Sequence, residues 1–141
     1  MKLCVVACSK SKNKKPGKHK AEDLYTGGVF KKSMSYADDI CDKTVILSAK
    51  HGVISLDKKI VKYDFQMKDI PYSEKYKWKE QCAEEIMKLT NNGDTVVFLT
   101  SHGYKSGILS KLKKRKTEWP FHHLKQGQRL RWLNEKLGVK K

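Results

Sequence analysis

Three short apolar runs, each giving way to small polar residues, limit this chain's folding choices most. They are residues 2–7 (KLCVVA), 44–47 (TVIL) and 95–100 (TVVFLT). Short apolar, β-branched runs bounded by polar turns read as buried strands. Between them lie stretches with helical spacing, and strands alternating with helices imply a parallel sheet covered on both faces. The expected fold is therefore α/β: a small, mostly parallel sheet of about four strands flanked by helices, Rossmann-like and three-layered. The 141 residues suit a single α/β domain over 1–141.

The intervening segments divide as follows. Residues 8–20 read as a polar, Lys-rich loop turning at Pro16-Gly17. Residues 21–40 read as a helix in two pieces, broken at Gly27-Gly28, with Phe30, Met34 and Ala37 in helical register. Residues 53–70 look irregular. The segment 71–91 reads as a helix with Trp78, Cys82, Ile86 and Leu89 on one face, ended by Asn92-Gly93-Asp94. A helix over about 105–113, a short strand at Trp119-Pro120-Phe121 and a closing helix over 126–137 complete the chain. In that last helix Leu130, Leu133 and Leu137 are expected to face inward.

Composition narrows the partners. Lys and Arg number 31 against 15 Asp and Glu, a formal charge of +16. Such a field attracts polyanions, and nucleic acid or a nucleotide is the partner it points to. Only Arg115, Arg129 and Arg131 are arginines. A lysine-dominated surface suits phosphate attraction better than the bidentate reading of bases. No run approaches the ~20 apolar residues of a membrane span, and the apolar N-terminal run is too short for a signal-peptide core. The reading is a cytoplasmic protein without membrane contact. Cys4, Cys8, Cys41 and Cys82 lack paired zinc-ribbon spacing and are expected as free thiols. No motif requires a metal or organic cofactor, and adjacent His122 and His123 are expected to diverge on a strand. The sequence gives no oligomeric state.

In a parallel sheet the three polar strand ends share one edge, where open α/β sheets hold ligands. They are Cys8-Ser9-Lys10, Ser48-Ala49-Lys50-His51 and Ser101-His102-Gly103-Tyr104. Ser9, Lys10 and Lys12 suit a phosphate, through hydroxyl, backbone N–H and ammonium groups. His51 can act as acid or base near neutrality, and Lys50 can neutralise an anion. Asp57 and Asp64 can stabilise an oxocarbenium-like transition state or activate water. Tyr25, Phe30 and Tyr63 can hold a base. The Gly27-Gly28 pair interrupts a helical pattern where a ligand could approach closely. Candidate catalytic residues are thus Asp57, Asp64, Lys50 and His51; candidate substrate-binding residues are Cys8, Ser9, Lys10, Lys12, Tyr25, Phe30, Ser48, Tyr63, Ser101 and Tyr104.

The segment Leu47-Ser48-Ala49-Lys50-His51-Gly52-Val53-Ile54, followed by Asp57, Ile60, Tyr63 and Met67, resembles the L-S-x-x-Y-G-L-L…D…I-x-P-Y…M signature of the YaaA peroxide-stress proteins. His51 stands where that signature has Tyr, and Lys62 where it has Pro. Over nearly its full length the chain is similar to short phage and bacterial domains with C-S-x-x-K, L-Y-x-G-x-x-F and S-A-K-x-G-L elements. Cys8-Ser9-Lys10, Leu24 to Phe30 and Ser48 to Val53 match these. The first element is also similar to one in the catalytic domain of archaeosine synthase, which works on a modified tRNA base. The resemblance implies the fold and the site's location. Together these features lead to the expectation of an enzyme processing a nucleobase, nucleoside or nucleotide, free or within DNA or RNA, by glycosidic-bond cleavage or base modification. The alternative is a non-catalytic nucleic-acid- or nucleotide-binding protein, such as a YaaA-like DNA binder or a phage sequestration factor.

Overall fold

A computed structural model describes residues 1–101 and 107–138. Its centre is a five-stranded sheet in the order β4-β3-β1-β6-β7. The strands are β1 (Lys2–Ala7), β3 (Lys43–Ser48), β4 (Gly52–Ile54), β6 (Thr95–Leu99) and β7 (Lys116–Glu118). β1 pairs in parallel with β3 and β6, and β6 with β7; only β4 runs antiparallel, against β3. A two-stranded antiparallel ribbon joins β2 (Lys18–Lys20) to β5 (Lys59–Val61). The helices are α1 (Ala21–Leu24), α2 (Gly28–Ile40), α3 (Tyr72–Leu89) and α4 (Gln126–Leu137).

Side chains alternate across a strand, so each central strand feeds both faces. Cys4, Val6, Ile46, Val97 and Leu99 pack with Phe30 and Ala37 of α2 and Leu133 of α4. Leu3, Val5, Val45, Leu47 and Phe98 pack on the other face with Cys82, Ala83 and Ile86 of α3. The result is the expected three-layer α/β architecture, with one more strand than the sequence suggested.

The local differences have physical causes. β4 forms because Gly52, at φ +72°, lets the chain fold straight back after Ser48. Strands of three residues such as β2 and β5 are too short to leave an alternation in the sequence. Their pairing pins the far end of the Lys-rich loop, and a Lys12–Tyr25 bridge pins its middle. Past β6 the described residues hold a single 3-10 turn, Leu109–Lys111, rather than a longer helix. β7 precedes Trp119, while Pro120 to Phe121 already turn. His122 and His123 lie in that turn with ring centroids 3.5 Å apart, so they do not diverge. In α4, Leu133 is buried and Leu130 is exposed, and Trp132 packs against Phe121 and Tyr36 instead.

The expectation of four free thiols is corrected. Cys4 and Cys41 form a disulfide across a sequence separation of 37, and only Cys8 and Cys82 remain thiols. Cys41 ends α2 just before β3 pairs with β1, which brings its Cα to 5.9 Å from that of Cys4. That is within bridging distance. Among the described residues, no helix is long and apolar enough to cross a membrane.

Candidate functional site

The parallel strands run β3-β1-β6-β7 in space. The chain leaves β1 for β3 on one side and later crosses to β6 on the other. The crevice at such a reversal, beyond the strand C-termini, is where α/β sheets bind ligands. A cavity of about 280 Å³ opens there, walled by the ends of β1 (Ala7, Cys8) and β6 (Leu99, Thr100, Ser101) and by the first turn of α2. A second cavity of about 310 Å³ lies behind the Cys8–Lys12 loop, bounded by Lys12, Phe65 and Met67. Cys8, Ser9 and Lys10 line both, so this loop is the partition between them.

Hydrogen bonding fixes the partition. The Ser9 hydroxyl donates to Ser11 O (2.7 Å) and accepts the Gly27 N–H (3.1 Å). Ser9 therefore clamps the loop to the start of α2, with its one hydroxyl proton spent on Ser11 O. A Cβ on Gly27 would come within 2.7 Å of the Ser9 Cβ, which accounts for that glycine by packing rather than by a ligand. Lys10 is exposed at the rim, and its carbonyl accepts the Lys12 ammonium at 3.0 Å.

Beside the partition, three hydroxyls form a chain. Tyr63 Oη lies 2.7 Å from Ser48 Oγ and 2.6 Å from Tyr25 Oη. Ser48 Oγ already accepts the N–H groups of Lys50 (3.2 Å) and His51 (3.1 Å). With both lone pairs used, its own proton must go to Tyr63. One phenolic proton of the Tyr25–Tyr63 pair then remains for a third partner. Burial pushes the Tyr25 phenol up to about 12. Burial, and then the nearby Cys8, raise Tyr63 as well. Both phenols are thus protonated donors at neutral pH.

Cations surround this chain. The Lys12 ammonium sits 4.5 Å from the Tyr63 ring centroid and the Lys50 ammonium 5.2 Å. His51 meets the same ring edge-on at 5.2 Å. Burial, and then Lys50 and Lys58, lower the His51 pKa, which favours a neutral imidazole. Burial also lowers Lys12, while Cys8 and Asp64 draw it back up, so Asp64 lies within electrostatic reach of the cluster.

Most of the expected site residues converge. Cys8, Ser9, Lys10, Lys12, Ser48, Lys50, His51 and Tyr63 line the cavities or join the hydroxyl chain. Ser101 lies on the cavity wall, and Tyr104 falls outside the described residues. Tyr25 and Phe30 are 1% and 3% exposed, so neither forms an open stacking platform, although Phe30 also borders the first cavity. Asp57 is exposed in the turn between β4 and β5, and no hydrogen bond ties it to the hydroxyl chain. Sequence reasoning missed Ser33, Thr100, Phe65, Gln126 and Arg129, all of which line a cavity. Ser33 carried a usable signal: it shares the apolar face of α2 with Phe30 and Ala37, where a hydroxyl needs a reason.

Residues 3–135 match a family of unknown function, DUF6884, and the chain belongs to that family. No curated protein and no solved structure matches it.

Proposed function

We propose that this protein is an enzyme acting on a nucleobase, nucleoside or nucleotide, cleaving or exchanging a glycosidic bond or modifying the base. The observation that carries this reading is the Ser48–Tyr63–Tyr25 hydroxyl chain, flanked by Lys12 and Lys50, with Asp64 in electrostatic reach of Lys12. Breaking a glycosidic bond needs a proton for the departing base and a negative group for the cationic sugar. In this reading the phenol pair supplies the first and Asp64 the second. Lys12 and Lys50 hold negative charge on the substrate, and neutral His51 buttresses the Tyr63 ring. Phe65, half-buried on the second cavity, offers a ring to the base.

Base release from nucleosides and nucleotides, followed by chromatography, tests the proposal. Asp64→Asn is expected to cut turnover by about 100-fold or more while ligand affinity holds, since general acid–base and charge-stabilising groups are worth about that much. Tyr63→Phe should lower turnover by at least about tenfold, with a smaller effect on binding. Undiminished turnover in Asp64→Asn removes the carboxylate mechanism.

A binding role without catalysis is the second reading, favoured by the +16 charge. It predicts affinity for oligonucleotides that falls steeply with salt, and no change in the bound nucleotide.

A further inference from the structure

We infer that the cavity between β1, β6 and the start of α2 is a seat for a phosphate monoester, so that the substrate is phosphorylated. The inference deepens the function proposed above and rests on it for the nucleoside part. The seat itself stands on separate observations.

α2 has 13 residues, and its N-cap is Gly27, which has no side chain to cap the first turn. The backbone N–H groups of that turn carry the positive end of the helix dipole, and Gly27, Gly28, Val29 and Phe30 all line the cavity. A helix N-terminus alone would prove little, but the same wall holds two buried hydroxyls without partners. Ser33 Oγ and Thr100 Oγ1 belong to residues that are each 1% exposed, and neither makes a hydrogen bond. Of the three buried side-chain polar atoms left unsatisfied among the described residues, these two belong to residues of this one cavity wall. Leaving a buried hydroxyl unpaired is costly, so two on one wall call for an acceptor.

Charge selects the acceptor. Among the described residues no Asp or Glu lines the cavity, whereas Arg129 and Lys10 do. Arg129 spends its Nε–H on Leu124 O at 3.0 Å, and no carboxylate among the described residues pairs with its guanidinium. Burial lowers its pKa, as for a cation partly withdrawn from water without a counter-charge. Two N–H-bearing nitrogens remain to grip an oxyanion in the forked geometry that suits phosphate. The phosphate thus moves from the Ser9–Lys10–Lys12 loop, whose serine is engaged, to the opposite wall.

The test is titration of the full chain with inorganic phosphate at constant ionic strength, followed by phosphorus NMR, with chloride as the control for diffuse lysine binding. Saturable binding is expected, and Arg129→Met should weaken it by about tenfold or more, as loss of a charge-assisted fork does. Ser33→Ala guards against misfolding of the arginine variant. It should weaken phosphate binding without lowering Tm, because the hydroxyl it removes has no partner in the fold. No saturable binding, or binding unchanged in a folded Arg129→Met or Ser33→Ala protein, overturns the seat. So does a lower Tm in Ser33→Ala, which would give the hydroxyl a structural role. Turnover of an unphosphorylated nucleoside without phosphate binding would end this inference and leave the enzyme reading intact. Phosphate binding without turnover of any nucleotide would support the seat and end the enzyme reading.

Discussion

The two ends of the parallel strands are both polar, and they differ in whether every buried polar group finds a partner. At the N-terminal end the Met1 α-amino group pairs with Asp94 at 3.0 Å, and the Lys2 N–H donates to Asp42 at 2.7 Å. Arg115 uses all five of its N–H donors there, on Thr90 Oγ1, Asn92 Oδ1, Lys113 O, Met87 O and Thr90 O. At the C-terminal end, among the described residues, Ser33 and Thr100 bury hydroxyls without a hydrogen bond and Arg129 pairs with no carboxylate. A completed network closes a fold; a network missing its acceptor is what a binding site looks like before its ligand arrives. The two arginines make the contrast concrete, since one is consumed by side-chain and backbone oxygens and the other lines a cavity.

Three substitutions press on that contrast. The largest effect is expected from Arg115→Met, which strands several part-buried acceptors at once. It should cost about 2–3 kcal/mol in urea unfolding, and a loss below about 0.5 kcal/mol would deny that the arginine completes that end. Thr100→Val keeps the shape and removes an unpaired hydroxyl, so unfolding should show no loss and a gain of up to about 1 kcal/mol. A clear loss would mean the hydroxyl already has a partner, and the two ends would cease to differ. The smallest effect concerns Asp94. Backbone bonding from Asn91, and then the Met1 amino group, hold its carboxyl below the ordinary 3.8. Its contribution is therefore fully present above that value and is lost as pH falls through the depressed one. The Tm gap between the native chain and Asp94→Asn should close on acidification, and a gap independent of pH would remove Asp94 from the network.

How much of this was legible beforehand follows the range of each interaction. The β1, β3 and β6 runs announce themselves because an apolar β-branched run needs no partner to be recognised. The α3 face of Cys82 and Ile86 is equally plain, because helical spacing is a property of neighbouring residues. Asp57 and Asp64 look alike in the sequence and both are exposed, and only the packing of the chain sets Asp64 within electrostatic reach of Lys12. Tyr25 reads as a base-stacking ring and proves to be core, with its hydroxyl bonded to Tyr63. The Cys4–Cys41 bridge and the partnering of Tyr63 with Ser48 join residues that no local pattern links.

The sequence by itself determined the α/β class, the helix faces and the gathering of reactive groups at one sheet edge. Those follow from periodicity and from the parallel direction that strand–helix alternation imposes. Only the tertiary structure decided the strand order β3-β1-β6-β7, and with it which two strand ends flank the cavity. It also decided that Arg129, from the last helix, would reach across to the first turn of α2. Strand order and helix docking are set by the burial of both sheet faces at once. That burial is a property of the whole packed chain, and no short stretch of residues encodes it.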